Sequence, residues 1–327
     1  MSTLMIYGAT GYTGRMAAQQ ATAAGVNPVL AGRDATRLAA VAAELGVEHR
    51  SFALDDSATV DAALHGVSAV LNCAGPFMRT AQPLMAAAIR SGVHYLDTAA
   101  ELDSYHLAEA LDEKGKAAGV MLLPGSGGSV AMLGCLTAHA AGRVTDPQHV
   151  RVALHVAGSM SRGSAVSAAE NLSAECLERH GGVLVSRDPN ESREFDFGAG
   201  PVACTPATLP DLVTIWHATA IPNIESFVYV SGDAFPTGEL SDLPEGPTHA
   251  QREANRCQAS VEITGADGSA VRSVLDTVNG YTFTPMAAVE ATRRILAGEH
   301  HPGFQTPAGL FGTHFAETIA DTTIRDL

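Results

Sequence analysis

The chain has 327 residues, 46% of them apolar, enough for a sizeable core and two domains. Its 35 acidic and 20 basic residues leave a formal charge of −15, which argues against nucleic acid and anionic membranes as partners. The five cysteines (73, 135, 176, 204 and 257) are scattered without a CxxC pair and indicate neither a disulfide framework nor a metal site, and no segment nears the roughly 20 apolar residues of a membrane helix, so a soluble cytoplasmic protein is expected.

The chain opens on an apolar run, Thr3 to Tyr7, followed at once by Gly8-Ala9-Thr10-Gly11-Tyr12-Thr13-Gly14 and an alanine-rich helical stretch. A strand, a glycine turn and a helix in this order form a dinucleotide cradle. The glycines permit a tight reversal and close backbone approach, and the helix N-terminus attracts a pyrophosphate through free amides and its dipole. The spacing is GxxGxxG rather than GxGxxG, so its position after the first strand carries the assignment.

A second buried strand, Pro28 to Ala31, ends at Gly32-Arg33, and Asp34 caps the helix that follows at 35–45. An acid at the end of this strand would bind a ribose 2′-hydroxyl. An arginine there accommodates a 2′-phosphate, so Arg33 favours NADP(H) over NAD(H). After the next apolar stretch, 48–54, Asp55 stands where a polar group reaches the adenine ring, with helix capping beside Asp56 and Ser57 as the alternative.

The alternation continues through a helix at 57–64, strands at 69–72 and 93–97, helices at 81–91 and 101–118, and a last strand at 120–123. Short apolar strands separated by helices imply a parallel sheet covered on both faces. Asn72-Cys73-Ala74-Gly75-Pro76-Phe77, on the carboxyl edge of that sheet, should line the nicotinamide ribose, with Pro76 and Phe77 as an apolar wall. Cys73 lacks a histidine at any recognisable spacing and reads as packing. After the next strand come Asp97, Thr98 and Glu101. This set could supply a general acid, although Thr98 and Glu101 also match a capping box.

Pro124-Gly125-Ser126-Gly127-Gly128 is the clearest break in the chain. A helix at 129–141 precedes β-rich stretches at 150–157, 212–219, 224–231, 258–264 and 270–278, with a helix at 164–179 between them. Ser161-Arg162-Gly163-Ser164 opens that helix, so Arg162 and free amides could receive an anionic group of a substrate. A loop is expected at Pro236 to Pro247 and a helix at Pro285 to Ala297. The expected architecture is α/β: a Rossmann-type doubly wound parallel sheet over 1–125 and a mixed-sheet α+β domain for substrate and dimerisation over 126–284, with 285–327 packing back on the first. A homodimer is expected on base rates.

Gly8 to Arg15, Leu30-Ala31-Gly32-Arg33, Asn72 to Phe77 and His94-Tyr95-Leu96-Asp97-Thr98 resemble the saccharopine dehydrogenase-like proteins, which include trans-acting enoyl reductases. Gly163-Ser164-Ala165, Gly280 to Pro285 and Pro302 to Ala308 match more loosely. The resemblance implies an NADP-binding Rossmann domain and hydride transfer from the nicotinamide to a polarised double bond of a small-molecule or acyl-thioester substrate. Ala99-Ala100-Glu101 departs from the enoyl reductases, which tend to carry glycine before the glutamate. An imine reductase of amino acids or secondary amines is a second reading, favoured by cationic groups in the pocket, and a non-catalytic NADP(H)-binding sensor is a third. The candidate catalytic residues are Thr98, Glu101 and Arg162.

Overall fold

A computed structural model describes residues 3–171, 175–232 and 243–327. The first half runs β1 (Leu4–Tyr7), α1 (Tyr12–Ala23), β2 (Val29–Gly32), α2 (Ala35–Leu45), β3 (His49–Ser51), α3 (Ser57–Ala63), β4 (Ala69–Asn72), α4 (Phe77–Ser91), β5 (His94–Asp97), α5 (Leu102–Ala110), α6 (Asp112–Ala118), β6 (Met121–Leu123) and α7 (Gly128–Ala141). The second runs β7 (Pro147–Ala157), α8 (Arg162–Asn171), β8 (Leu177–His180), β9 (Val183–Ser186), β10 (Arg193–Asp196), β11 (Pro201–Pro206), α9 (Asp211–Thr219), β12 (Asn223–Ser231), α10 (His249–Ala254), β13 (Cys257–Gly265) and β14 (Ala270–Thr277). Then come α11 (Gly280–Leu296), β15 (Gly303–Phe304), α12 (Pro307–Phe311) and β16 (Thr323–Asp326).

Seven parallel strands form one sheet in the order β15-β6-β5-β4-β1-β2-β3. β1 and β4 are buried along their whole length and apolar except for Asn72 at the end of β4, as a parallel sheet with helices on both faces requires. Strand order reverses between β4 and β1, and the crevice outside their carboxyl ends is where such sheets bind ligands. The mixed second sheet follows the path β10-β11-β12-β7-β13-β14-β16, with β7 and β12 parallel and β13 antiparallel to β7.

The two sheets share one core. α11 packs on α1, β4 and β5, while α7 packs on β7, β13 and β14, and the two helices touch each other. Leu4, Ile6 and Ala17 thus belong to the same buried cluster as Val150, Leu212, Val261 and Phe283. The tail divides between the sheets: β15 extends the first beyond β6, and β16 pairs with β14. Among the described residues, no helix is long and apolar enough to cross a membrane.

Several expectations are corrected. The stretch 212–219 is a helix, α9, not a strand. Its Val, Ile and Trp read as β-forming, but Pro210 at the N-cap starts a helix whose Leu212, Val213 and Ile215 are all buried, so packing overrides propensity. Of the helix expected at 164–179, α8 is described as Arg162–Asn171, residues 172–174 lie outside the described residues, and Leu177–His180 is strand β8 rather than helix. The helix expected at 101–118 breaks at Leu111 into α5 and α6. α4 begins at Phe77, and α11 begins at Gly280, with Asn279 Oδ1 capping the Tyr281 amide at 3.0 Å. Of the loop expected at 236–247, residues 236–242 lie outside the described residues.

Candidate active site

The three glycines after β1 do different work. A Cβ on Gly8 would lie 2.8 Å from the Ala74 nitrogen, and Gly8 has φ +82°. One on Gly14 would lie 2.2 Å from the Gly8 carbonyl oxygen. These two glycines let the loop press against residues 73–75 and let α1 press against β1. Gly11 is exposed, and its Cβ would meet only the Gly8 oxygen, at 3.3 Å. It also sits at the N-cap of α1 without a side-chain cap, so the first amides of that helix face an open cradle. A pyrophosphate fits there without a side-chain charge.

The cradle has cations at one end. Gly32 closes β2, and a Cβ there would meet nothing within 4 Å. The Arg33 guanidinium is exposed and has no hydrogen-bond or ion-pair partner among the described residues. Four residues on, Arg37 Nη2 lies 3.4 Å from the Thr10 carbonyl oxygen of the glycine loop and 3.2 Å from Glu245 Oε1. Arg37 was not anticipated. The signal was a second arginine in the first turn of the helix that follows Arg33, close in sequence to the end of β2. Asp56, not Asp55, caps α3 by accepting the Thr59 amide at 2.9 Å, which leaves the exposed Asp55 free for an adenine contact.

After β4, the buried Asn72 shapes the turn. Its Nδ2 donates to Thr80 Oγ1 at 3.0 Å and to the Tyr95 hydroxyl at 3.2 Å, and its Oδ1 accepts the Ala74 amide at 3.0 Å. The turn carries Cys73, Ala74, Gly75 and a cis Gly75–Pro76 bond. Phe77, the first residue of α4, is buried among the apolar residues of the first sheet, and a Cβ on Gly75 would lie 3.8 Å from its ring, with Pro76 half-buried between them. Burial, reinforced by the Asp97 charge against a Thr98 hydrogen bond, pushes the Cys73 thiol up to about 12, which disfavours the thiolate a nucleophile needs.

Asp97 is a fully buried strut behind the site. It accepts the Gly125 amide at 2.7 Å, the Ala99 amide at 3.0 Å and the Tyr95 hydroxyl at 2.9 Å, while burial holds its carboxyl up at about 6. It therefore fixes the loops 98–100 and 124–128 to each other. In front of them a cavity of about 270 Å³ opens between the two sheets. Thr13 and Thr98 to Ala100 line one side, Leu154, Val156 and Ala157 of β7 the other, and Met132, Ser164, Tyr281 and Thr284 close it.

Of the three candidate catalytic residues, Thr98 alone lines this cavity. Glu101 does not form the capping box with Thr98, because α5 starts at Leu102. Its carboxylate reaches across to α4, accepting the Met78 amide at 3.0 Å, and to α8, accepting the Ser167 hydroxyl at 2.7 Å. Arg162 Nε donates to the Leu243 carbonyl at 2.8 Å, away from the cavity. The one charged side chain lining the cavity among the described residues is Arg256, and it is already engaged by Asp276 and by the Asp321 carbonyl at 2.8 Å. Burial also pushes the Cys257 thiol at the cavity edge up to about 12.

Hydroxyls are what the cavity offers. Tyr281 Oη accepts the Ser161 amide at 2.8 Å and donates to Ser164 Oγ at 2.9 Å. Ser164 Oγ also accepts from Ser161 Oγ at 3.0 Å, so its own proton is free for a third partner. The Ser161 hydroxyl accepts the Ser164 amide at 3.2 Å and so caps the start of α8. The edge of the Tyr281 ring packs on Tyr12 of the glycine loop, with centroids 5.5 Å apart. Tyr281 was passed over because its sequence neighbourhood carries no acid or base to mark it.

Residues 4–123 match the family model of the saccharopine dehydrogenase NADP binding domain. A trans-acting enoyl reductase of Mycobacterium leprae is 33% identical over 106 residues, 30% of this chain and 25% of that protein. A putative trans-acting enoyl reductase of Mycobacterium tuberculosis is 28% identical over 249 residues, 66% of this chain and 56% of that protein. The chain thus spans between about a quarter and just over half the length of these curated relatives. Among solved structures, apo saccharopine dehydrogenase (L-Glu forming) of Saccharomyces cerevisiae superposes with a TM-score of 0.67 at 12% identity, covering 100% of both chains, which shows a shared fold.

Proposed function

With residues 4–123 matching the family model of the saccharopine dehydrogenase NADP binding domain, we propose that the chain is an NADP(H)-dependent reductase of a neutral, polarised carbon–carbon double bond on a small or acyl-thioester substrate. The observation that carries the reading is the cavity between the sheets, lined mainly by apolar groups and hydroxyls, whose single charged side chain among the described residues is neutralised by its own partner. An amino-acid imine would need an unpaired cation for its carboxylate, and Arg162, which would have served, is turned toward Leu243.

The residues divide the work. The open N-terminus of α1 at Gly11 to Thr13 would hold the pyrophosphate, Arg33 the 2′-phosphate, and the turn Asn72 to Gly75 the nicotinamide ribose. When bound, the cofactor supplies the hydride. Thr98 and the backbone of Ala99 and Ala100 position the acceptor, and the apolar side chains of Met132, Leu154 and Val156 exclude water around it. Ser164 Oγ, backed by Tyr281 Oη, donates the proton that completes the reduction, and the Ser161 amide stabilises the phenolic oxygen as its proton moves on.

Purified protein with NADPH, followed at the nicotinamide absorbance, should turn over enoyl-thioesters and leave amine plus keto-acid pairs untouched. Turnover restricted to the amine pairs would replace the reading with an imine reductase. Tight NADPH binding with no turnover on either set would replace it with a sensor.

A further inference from the structure

The segment from Leu243 to Thr248 lies across the glycine loop as a strap. Gly246 rests on the Tyr12 ring so closely that a Cβ would come within 2.7 Å of it. The Tyr12 hydroxyl donates to the Pro247 carbonyl and accepts from Arg252 Nη1 at 2.7 Å. On the other edge Arg162 holds the strap through the Leu243 carbonyl at 2.8 Å and the Glu245 carbonyl at 3.3 Å. The backbone of Glu245 is therefore fixed, and its carboxylate is delivered to Arg37, 3.2 Å away, beside the Thr10 carbonyl.

That is the place where a 2′-phosphate would arrive. Arg33 and Arg37 flank the start of α2 next to the glycine loop; Arg33 is unpaired among the described residues, and Arg37 is occupied by a carboxylate from a distant part of the chain. We propose that Glu245 is a specificity-determining residue: an internal anion that holds Arg37 at the 2′-phosphate position and gives it up to NADP(H), while leaving NAD(H) binding unaffected. The Arg37 and Glu245 side chains are more than half exposed, so their pairing is weak and readily exchanged. A phosphate with two charges and bidentate geometry outcompetes a single exposed carboxylate. The proposal rests on the NADP(H) reading of the site.

The test is calorimetric titration with NADP⁺ and NAD⁺, which differ only in the 2′-phosphate. Glu245→Gln should tighten NADP⁺ by about two- to fivefold, the worth of an exposed pair, with NAD⁺ unchanged. Arg37→Ala should weaken NADP⁺ by about tenfold or more, and adding Glu245→Gln to it should then have no further effect. Equal shifts for both nucleotides in Glu245→Gln, or the same gain in the Arg37→Ala background, would overturn the proposal. Failure of the unaltered protein to bind NADP⁺ would instead overturn the cofactor reading on which it stands.

Discussion

The hydroxyl of Tyr281 and the Oγ of Ser164, 2.9 Å apart, join the first turn of α11 to the first turn of α8 at the cavity. Neither residue has a charged hydrogen-bond partner among the described residues, so any proton the pair delivers passes through hydroxyls. Tyr281→Phe should lower kcat by about a hundredfold or more, the usual worth of a general acid, and leave the NADPH dissociation constant unchanged. Single-turnover absorbance measurements separate the two effects. Full turnover in Tyr281→Phe would pass the proton-donor role to water.

Gly11 and Gly14 should fail in opposite ways. Gly11 has φ −79°, which any residue adopts, and its Cβ would meet only the Gly8 oxygen, at 3.3 Å, so Gly11→Val should fold with a smaller loss of Tm than Gly14→Ala and lose NADPH binding because its side chain fills the cradle. Gly14→Ala pushes a methyl into the Gly8 carbonyl and should cost about 1–3 kcal/mol of stability. Thermal melts beside calorimetry read both. Retained binding in Gly11→Val would remove the cradle from the glycine loop.

Arg33→Ala should weaken NADPH by about ten- to a hundredfold, the range of charge-assisted hydrogen bonds, while NADH affinity stays as it was. The guanidinium makes no hydrogen bond or ion pair among the described residues, so its loss should not move the Tm. An equal loss for both nucleotides would assign Arg33 to the fold rather than to the 2′-phosphate.

Asp211, in the first turn of α9, is buried with both carboxylate oxygens unpartnered among the described residues, and burial pushes its carboxyl up from 3.8 to about 7. Between those values the native chain keeps a proton on Asp211 that the unfolded chain has lost, so the contribution of this one group is fully present below pH 4 or so and is lost as pH rises through 7. Asp211→Asn, which stays neutral, should raise the Tm at pH 8 and flatten its dependence between pH 4 and 7. Unchanged melting at pH 8 would show that the carboxylate finds solvent or a partner when it ionises.

The first domain was legible because its determinants are local. β1 and the first three residues of β4 are buried on both faces and read as apolar runs, and the cradle needs only glycine at 8, 11 and 14. Reading weakened where a residue's environment comes from far along the chain. The composition of α9 favours a strand, and only burial against α5, α7 and β12 makes it a helix. Glu101 suggested a local cap, yet its acceptor oxygens are used by α4 and α8.

By itself the sequence determined the parallel sheet, the glycine cradle and the cation after β2, because each depends on neighbours within a few residues. Tertiary structure alone decided the chemistry of the cavity and its closure. Tyr281 reaches Tyr12, Ser164 reaches Tyr281, and Glu245 reaches Arg37 only once α11, α8 and the 243–248 strap are packed over the carboxyl edge of the first sheet. Contacts at such sequence separation are set by how buried faces fit together, and a residue's type carries no record of which distant side chain it will meet.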